Sequence, residues 1–447
     1  MIFSRSANLA SVLLTGMVFT FPIQTLSAQQ PAAPTPVPAL TKPEAVGFSS
    51  ARLERVHTLM QQAVDEKKVA GVVTILARHG KVVEYRTYGK LDMNTGTPMI
   101  KDAIFRDYSM TKPVTGVAMM ILYEQGKWQP SDPIAKYIPE FAHLKVFKGV
   151  DADGKMILVD PDHAPTMREL MTHTAGFTYG FFGNTPVDAM YRDQKVLGSK
   201  NLQEMIDKLA KIPLLYQPSK GWTYSVSMDI QGYIVEKLSG QTLPTFIKEN
   251  IYTPLGMKDS GFYVPQEKRK RFAALYQVNA TGGLDAAPTA GGLPTDYTTE
   301  PTQPSGGGGM VSTAEDYYHF AQMLANGGQL NGTRILAPAT VKLMTSNHVP
   351  VSLLTGEFGI GHQIMRPGFG YGYDCAVVFD PPEADLPMGK GTFFWDGAAA
   401  TWFWVDPTND LIFVGMVQRM GGGGPNSFNL EHLSRSVVYQ ALVDPAK

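Results

Sequence analysis

Ser109 and Lys112 stand three residues apart in the tetrad Ser109-Met110-Thr111-Lys112, and a hydroxyl beside an amine is the raw material of nucleophilic acyl transfer. From Val114 the apolar positions Val117, Ala118, Ile121 and Leu122 recur at three-and-four spacing, which predicts an amphipathic helix ending near Gly126. Residues three apart share a helix face, so the Lys112 amine can reach the Ser109 hydroxyl at the helix N-terminus. Pro113 biases the residue before it away from helical angles, which places the predicted helix start at Lys112-Pro113. To act as a base, Lys112 must fall several units from its ordinary value of about 10.4, through desolvation and cationic or dipolar neighbours. A Ser-x-x-Lys spacing arises by chance about once in a chain of this length, so its context has to carry the reading.

That context needs a proton relay and donors aimed at a developing oxyanion. Tyr224, in Trp222-Thr223-Tyr224-Ser225-Val226, falls between predicted helices, where a phenol could face a cleft; a core tyrosine is the plainer reading. Trp395-Asp396-Gly397-Ala398 lies on a strand, and a glycine there lets another backbone or a ligand come close, or marks a bulge. Cys375 is the only cysteine; flanked by Ala376-Val377-Val378-Phe379, it reads as buried core rather than a nucleophile, and no intrachain disulfide can form. The nine histidines show no His-Glu-x-x-His pair, so no metal and no cofactor are expected. The glycine runs Gly306 to Gly309 and Gly421 to Gly424 lack the spacing of phosphate-binding loops and read as flexible loops without a ligand.

The elements that must hold these residues come from both ends of the chain. A helix from Ser49 to about Lys67, capped by Ser49 or Ser50, precedes two β-rich runs, Val72 to Ala77 and Val82 to Tyr88, which His79-Gly80 joins as a hairpin. Near the other end, Thr392 to Trp395, Thr401 to Val405 and Leu411 to Val417 read as antiparallel strands, and a helix from about Asn426 to Leu442 follows. The middle, from Gln129 to Val264, reads as helices and loops. The expected fold is therefore α/β of the α+β type: one antiparallel sheet flanked by helices, from residues 44–128 and 300–447, with a mainly helical domain, 129–299, inserted.

With 447 residues, 44% of them hydrophobic, the chain can fill a large core or two. Its 39 basic and 40 acidic residues balance, which argues against nucleic acid or an anionic membrane as partner. Arg5, the apolar stretch Leu9 to Phe21 and the small-residue site Ser27-Ala28 read as a secretory signal peptide over residues 1–28, hence an exported protein, periplasmic or secreted, with no stable anchor after cleavage. An uncleaved anchor is the competing reading. Five prolines between Pro31 and Pro43 make residues 29–43 an extended linker.

In this order, Ser109-x-x-Lys112, Tyr224-Ser225-Val226 and Trp395-Asp396-Gly397 resemble the motifs of the penicillin-recognising serine hydrolases, and within them the class C β-lactamase-like carboxylesterases of family VIII. Leu170 to Gly176, Pro254 to Met257, Ser305 to Val311 and Phe403 to Pro407 are similar to the same family, from about Phe48 to the C-terminus. The resemblance implies a β-lactamase/DD-peptidase-like fold, Ser109 as nucleophile, Lys112 and Tyr224 sharing base and acid roles, and the backbone N–H groups of Ser109 and Ala398 as oxyanion donors. It gives His173 a place in a loop rather than in the proton relay. The absence of a Gly-x-Ser-x-Gly elbow argues against an α/β-hydrolase.

Two departures bear on substrate. Where β-lactamases and peptidases of that family tend to carry an asparagine and a lysine, this chain has Val226 and Trp395. Losing both polar groups weakens β-lactam and peptide recognition, and an apolar pocket with Trp395, Gly397 and Val226 as substrate-binding residues suits esters. Asp396 stands where a small or hydroxylated residue is expected and could repel anionic substrates. The expected activity is hydrolysis of small carboxylic esters through an acyl-enzyme; a β-lactamase, peptidase or amidase activity is the alternative, and a non-catalytic ligand-binding module the alternative of another class.

Overall fold

The computed structural model describes residues 1–2, 39–287, 293–356, 364–421 and 428–446. The chain divides into two units, Met1–Pro31 and Ala32–Lys447, and among the described residues the helices and strands lie in the second. All but the first two residues of the expected signal peptide, most of the linker, and Gly422 to Gly424 fall outside the described residues.

The central sheet is built from two distant stretches. The N-terminal stretch gives β1 (Gly71–Arg78), β2 (Lys81–Asp92) and β3 (Thr97–Pro98); the C-terminal stretch gives β4 (Phe369–Tyr371), β5 (Ala376–Val378), β6 (Thr392–Asp396), β7 (Trp402–Asp406) and β8 (Leu411–Met416). Their order is β4-β5-β6-β7-β8-β1-β2-β3, antiparallel throughout. The β1–β2 hairpin turns at His79-Gly80, both with positive φ, the conformation that two-residue hairpin loops favour. The two ends of the chain meet where β1 pairs with β8, Val73 opposite Met416 through Arg78 opposite Leu411. β1 and β8 are buried at every position, so helices cover both faces, and their unbroken apolar runs follow from that. Cross-strand Trp404 and Phe413 stack at 4.6 Å, adding to the pairing.

The helices that matter to the site are α1 (Ser50–Asp65), α2 (Thr111–Glu124), α3 (Pro186–Asp193), α4 (Leu202–Leu209), α5 (Ser227–Ser239), α6 (Ala314–Ala325) and α7 (Leu430–Tyr439). α1 and α7 pack on each other, α1 also on β1 and β2, and α6 on β7, β8 and β1. α2 runs along α5, which joins the sheet side to the inserted helical lobe carrying α3 and α4. The predicted N-terminal caps differ: Ser49 is the N-cap of α1 but its side chain makes no capping bond, and Glu44 Oε1 accepts the Ser50 N–H at 2.9 Å instead. α7 is shorter than expected, and residues 426 and 427 lie outside the described set.

Two features of the inserted region went beyond its periodicity. A hairpin, Val146–Val150 with Met156–Val159, turns where Asp151 Oδ1 accepts the N–H groups of Asp153 and Lys155, an Asx-type turn. Tyr276–Val278 pairs with Leu284–Ala286 and, in parallel, with Arg419–Met420, so the end of this region is knitted back onto the C-terminal stretch.

Candidate active site

The segment around Ser109 is set by backbone geometry before any side chain acts. A single 3₁₀ turn, Tyr108–Met110, leads into α2, which begins at Thr111 rather than at Lys112-Pro113. Pro113 falls within the first turn, where its missing N–H has no helical partner to lose. Tyr108, immediately before Ser109, has φ +44°, a left-handed conformation that a bulky side chain holds only when its surroundings fix it. They do: the Tyr108 hydroxyl donates to Pro294 O at 2.9 Å, its ring meets Tyr297 edge-on, and both belong to a small apolar cluster with Ile104, Val264 and Val311.

Lys112 is wholly buried, its Nζ 3.0 Å from Ser109 Oγ and donating to Gly307 O at 2.7 Å. Burial pushes its amine down to about 7, opposed by the carboxylates of Asp229, Asp374 and Asp396. The charged neighbours are thus acidic, not the cationic ones expected, and desolvation alone achieves the fall. Tyr224 joins the pair from the other side, with Nζ 4.4 Å from its ring centroid. Burial raises the phenol far above its ordinary range, opposed by the Ser109 hydroxyl, so it stays protonated at neutral pH.

The Trp395-Gly397 segment reaches the same place from the end of β6. Gly397 is required by close approach: a Cβ there would lie 2.2 Å from Asp107 O and 2.3 Å from Thr401 Oγ1. The Thr401 hydroxyl also donates to Asp107 O at 3.3 Å. The turn carrying Ala398 is thereby locked against the turn carrying Ser109. Ser109, Tyr224, Trp395, Gly397 and Ala398 all line one cavity of about 860 Å³. Aromatic rings form much of its wall: Trp395 lies 5.7 Å from Tyr224 and 5.4 Å from Tyr371, while Phe181 and Phe182 sit exposed beside Tyr179.

Val226 does not line this cavity. It is fully buried as the N-cap residue of α5, because the chain turns inward into that helix two residues after Tyr224. His173 is off the Ser109–Lys112 line, as expected: its Nδ1 lies 2.9 Å from Ser225 Oγ and accepts the Ser225 N–H at 3.2 Å, and burial lowers its basicity well below the ordinary range. Cys375 is buried, and burial raises its thiol, which leaves a poor nucleophile. Gly306 to Gly309 is not the flexible loop expected. Thr115 Oγ1 donates to Gly306 O at 2.8 Å, Tyr297 to Gly308 O at 2.6 Å, and the Met310 N–H to Thr111 Oγ1 at 3.0 Å. Asp396 is exposed into the cavity, where the surrounding protein and then the Glu431 carboxyl raise its proton affinity, opposed by Arg435 and Lys112. Glu431 is in turn paired with Arg435 on α7. Sequence reasoning missed Asp229, Gly307, Glu431 and Arg435; only the position of Asp229, five residues after Tyr224, offered a signal.

Among the described residues, no group of histidine, cysteine or acidic side chains could hold a metal ion, and no helix is long and apolar enough to cross a membrane. The β-lactamase family model matches residues 56–433. Protein Rv1367c of Mycobacterium tuberculosis is 34% identical over 368 residues, covering 80% of this chain and 88% of its own length. Esterase EstB of Burkholderia gladioli is 32% identical over 379 residues, covering 81% and 89%. Among solved structures, EstCE1, described as a hydrolase with promiscuous acyltransferase activity, superposes with a TM-score of 0.72 at 28% identity over 87% of this chain and 98% of that one. The chain belongs to the β-lactamase family, within the penicillin-binding-protein-fold serine hydrolases related to the family VIII carboxylesterases.

Proposed function

We propose that this protein cleaves carboxylic esters through an acyl-enzyme on Ser109. The observation that carries the reading is the buried Lys112 amine, 3.0 Å from Ser109 Oγ and shifted to about 7. At neutral pH much of that amine is neutral. It donates one N–H to Gly307 O and turns its lone pair to the serine hydroxyl, from which it takes the proton as Oγ attacks the ester carbonyl. Tyr224, a protonated phenol beside both groups, passes a proton to the departing alkoxide and recovers it from Lys112. The backbone N–H groups of Ser109 and Ala398 are assigned to the oxyanion, each such donor being worth roughly 3 kcal/mol in the transition state. Water then enters and the same groups run the sequence in reverse. An alcohol in place of water would give acyl transfer; EstCE1 is described as having such activity, and a cavity of about 860 Å³ leaves room for a second molecule.

Trp395 and the aromatic wall favour an apolar ester, and Asp396 disfavours a carboxylate. We place the reaction outside the cytoplasm, on the strength of Arg5, the apolar run Leu9 to Phe21 and Ser27-Ala28; N-terminal sequencing of the secreted fraction tests this, and a mature protein retaining Met1 would refute it. For the chemistry, the parent and Ser109→Ala are compared on a short-chain p-nitrophenyl ester and on the chromogenic cephalosporin nitrocefin. The expected result is fast ester turnover, slow cephalosporin turnover and neither in Ser109→Ala. Ester turnover undiminished in Ser109→Ala would overturn the assignment.

A further inference from the structure

We infer that Asp229 is a positioning residue for Lys112, acting through the Ser305–Gly309 loop and through its own charge; the inference rests on the serine-hydrolase reading above. Asp229 lies in the first turn of α5 and is 1% exposed; burial raises its proton affinity, opposed by the Ser305 hydroxyl, the Lys112 charge and the Gly307 N–H. Its Oδ1 accepts from Ser305 Oγ at 2.5 Å and from the Gly307 N–H at 3.2 Å. The carbonyl of the same Gly307 accepts from Lys112 Nζ at 2.7 Å. One residue thus receives Asp229 on its N–H and hands Lys112 its acceptor on its C=O. Since that acceptor takes one N–H of the amine, its place decides where the remaining lone pair points, and Ser109 Oγ is what it must meet.

The fit leaves no slack at that position. A Cβ on Gly307 would come within 2.6 Å of the Tyr179 hydroxyl and 2.9 Å of Asp229 Oδ2, so glycine is the residue that lets the loop pass between them. Asp229 Oδ2 itself is buried without a hydrogen-bond partner among the described residues, which is costly unless a charge answers it. Lys112, when protonated, is that charge. The groups acting on Lys112 come from several elements: Asp229 on α5, Asp374 ahead of β5, Asp396 on β6, the rings of Tyr179 and Tyr224, and His173. Asp374 is fully buried, hydrogen-bonded by Gln231 Nε2 at 3.0 Å, and burial holds it well above the carboxylate range. Asp229 has more donors, and Asp396 faces the cavity, so Asp229 is the buried carboxylate best placed to hold a proton on Lys112.

Two effects separate in mutants. Asp229→Asn keeps an oxygen for Ser305 and Gly307 but removes the charge; Asp229→Ala removes both. The Lys112 ammonium loses an attractive neighbour in each, so the acid limb of kcat/KM for a p-nitrophenyl ester moves to lower pH by about one unit. In Asp229→Asn, kcat at the plateau falls less than in Asp229→Ala. In Asp229→Ala it falls roughly ten-fold or more, since a base held out of line loses much of its advantage. Ser305→Ala, which weakens the clamp and spares the charge, lowers plateau kcat with the acid limb unmoved, and decides the matter if the Asp229 variants do not fold. An acid limb in Asp229→Asn identical to that of the parent, or a plateau kcat untouched by Ser305→Ala, overturns the inference. Ser109→Ala run alongside keeps the readings apart: if it is inactive while those results fail, Asp229 loses its role and the serine-hydrolase reading stands, whereas an active Ser109→Ala removes the reading itself.

Discussion

Asp229 at the floor of the cavity and Lys112 and Asp107 beneath it are 0–1% exposed, and each is tied to a backbone or side chain more than 70 positions away. Phe181 and Phe182 at the rim are 40% and 46% exposed, and their rings pack on each other and on Tyr179 and Tyr224. The floor is over-determined and the rim is adaptable. That division suits an acyl-transferring enzyme, in which proton positions must be held to fractions of an ångström while the ester's outer groups vary. Changes at the floor should therefore act on kcat, and changes at the rim on which substrates are preferred.

The largest expected effect is at the floor. Lys112→Met keeps an unbranched side chain and removes the amine, and should lower kcat/KM by roughly 10²–10⁴, the worth of a positioned general base. In the parent, kcat/KM should rise as pH increases through about 7, where Lys112 loses its proton; a pH profile of the variant should lack that limb. Stability should move in the same direction. The folded-state value of about 7 lies below the unfolded value of about 10.4, so between them the unfolded chain holds the extra proton and parent stability climbs with pH. Thermal unfolding of Lys112→Met at pH 7 to 10 should show that slope reduced. An intact acid limb in the variant would move the titrating group elsewhere and dissolve the contrast between floor and rim.

A smaller effect is expected where the floor meets the sheet. Gly397→Ala puts a methyl 2.2 Å from Asp107 O, which backbone movement must relieve at about 1–3 kcal/mol. Because Asp107 precedes Ser109 by two residues, the displacement reaches the nucleophile and the Ala398 N–H together, and kcat should fall by up to about 10²-fold with KM less affected. Steady-state kinetics with denaturant unfolding measures both. Full kcat at parental stability would mean that this seam has slack.

What could be read from the sequence follows the same division. Ser109, Lys112 and Tyr224 were legible because their types and order resemble a known set, and the β1–β2 hairpin because its apolar runs flank His79-Gly80, whose backbone takes positive φ. The three late strands declared themselves by β-branched and aromatic runs. The role of the Gly306–Gly309 loop was hidden, since Gly307 serves Lys112 across 195 positions, a separation that local periodicity does not span. Val226 was misplaced for a related reason: a residue two positions from Tyr224 says nothing of whether the chain turns toward the cavity or into α5. Glu431 and Arg435, one turn apart on α7, read as an ordinary helical ion pair until β6 brings Asp396 beside them.

The smallest effect tests the wall rather than the floor. Asp396 faces the cavity, its proton affinity raised by the protein around it and by Glu431, so it gains its charge later on the pH scale than an ordinary aspartate. An anionic ester then meets repulsion that grows as pH rises and fades as pH falls, whereas a neutral ester of the same shape does not. The penalty across a solvent-accessible cavity of this size is about 1 kcal/mol, roughly five-fold in kcat/KM. Asp396→Asn removes it. The ratio of kcat/KM for neutral and carboxylate-bearing esters, taken at pH 6 and pH 9 in low salt, should widen with pH in the parent and stay level in the variant, with plateau kcat for the neutral ester little changed. A ratio that widens equally in both would show that Asp396 is not the source of the discrimination, and a large loss of kcat on the neutral ester would make Asp396 part of the floor.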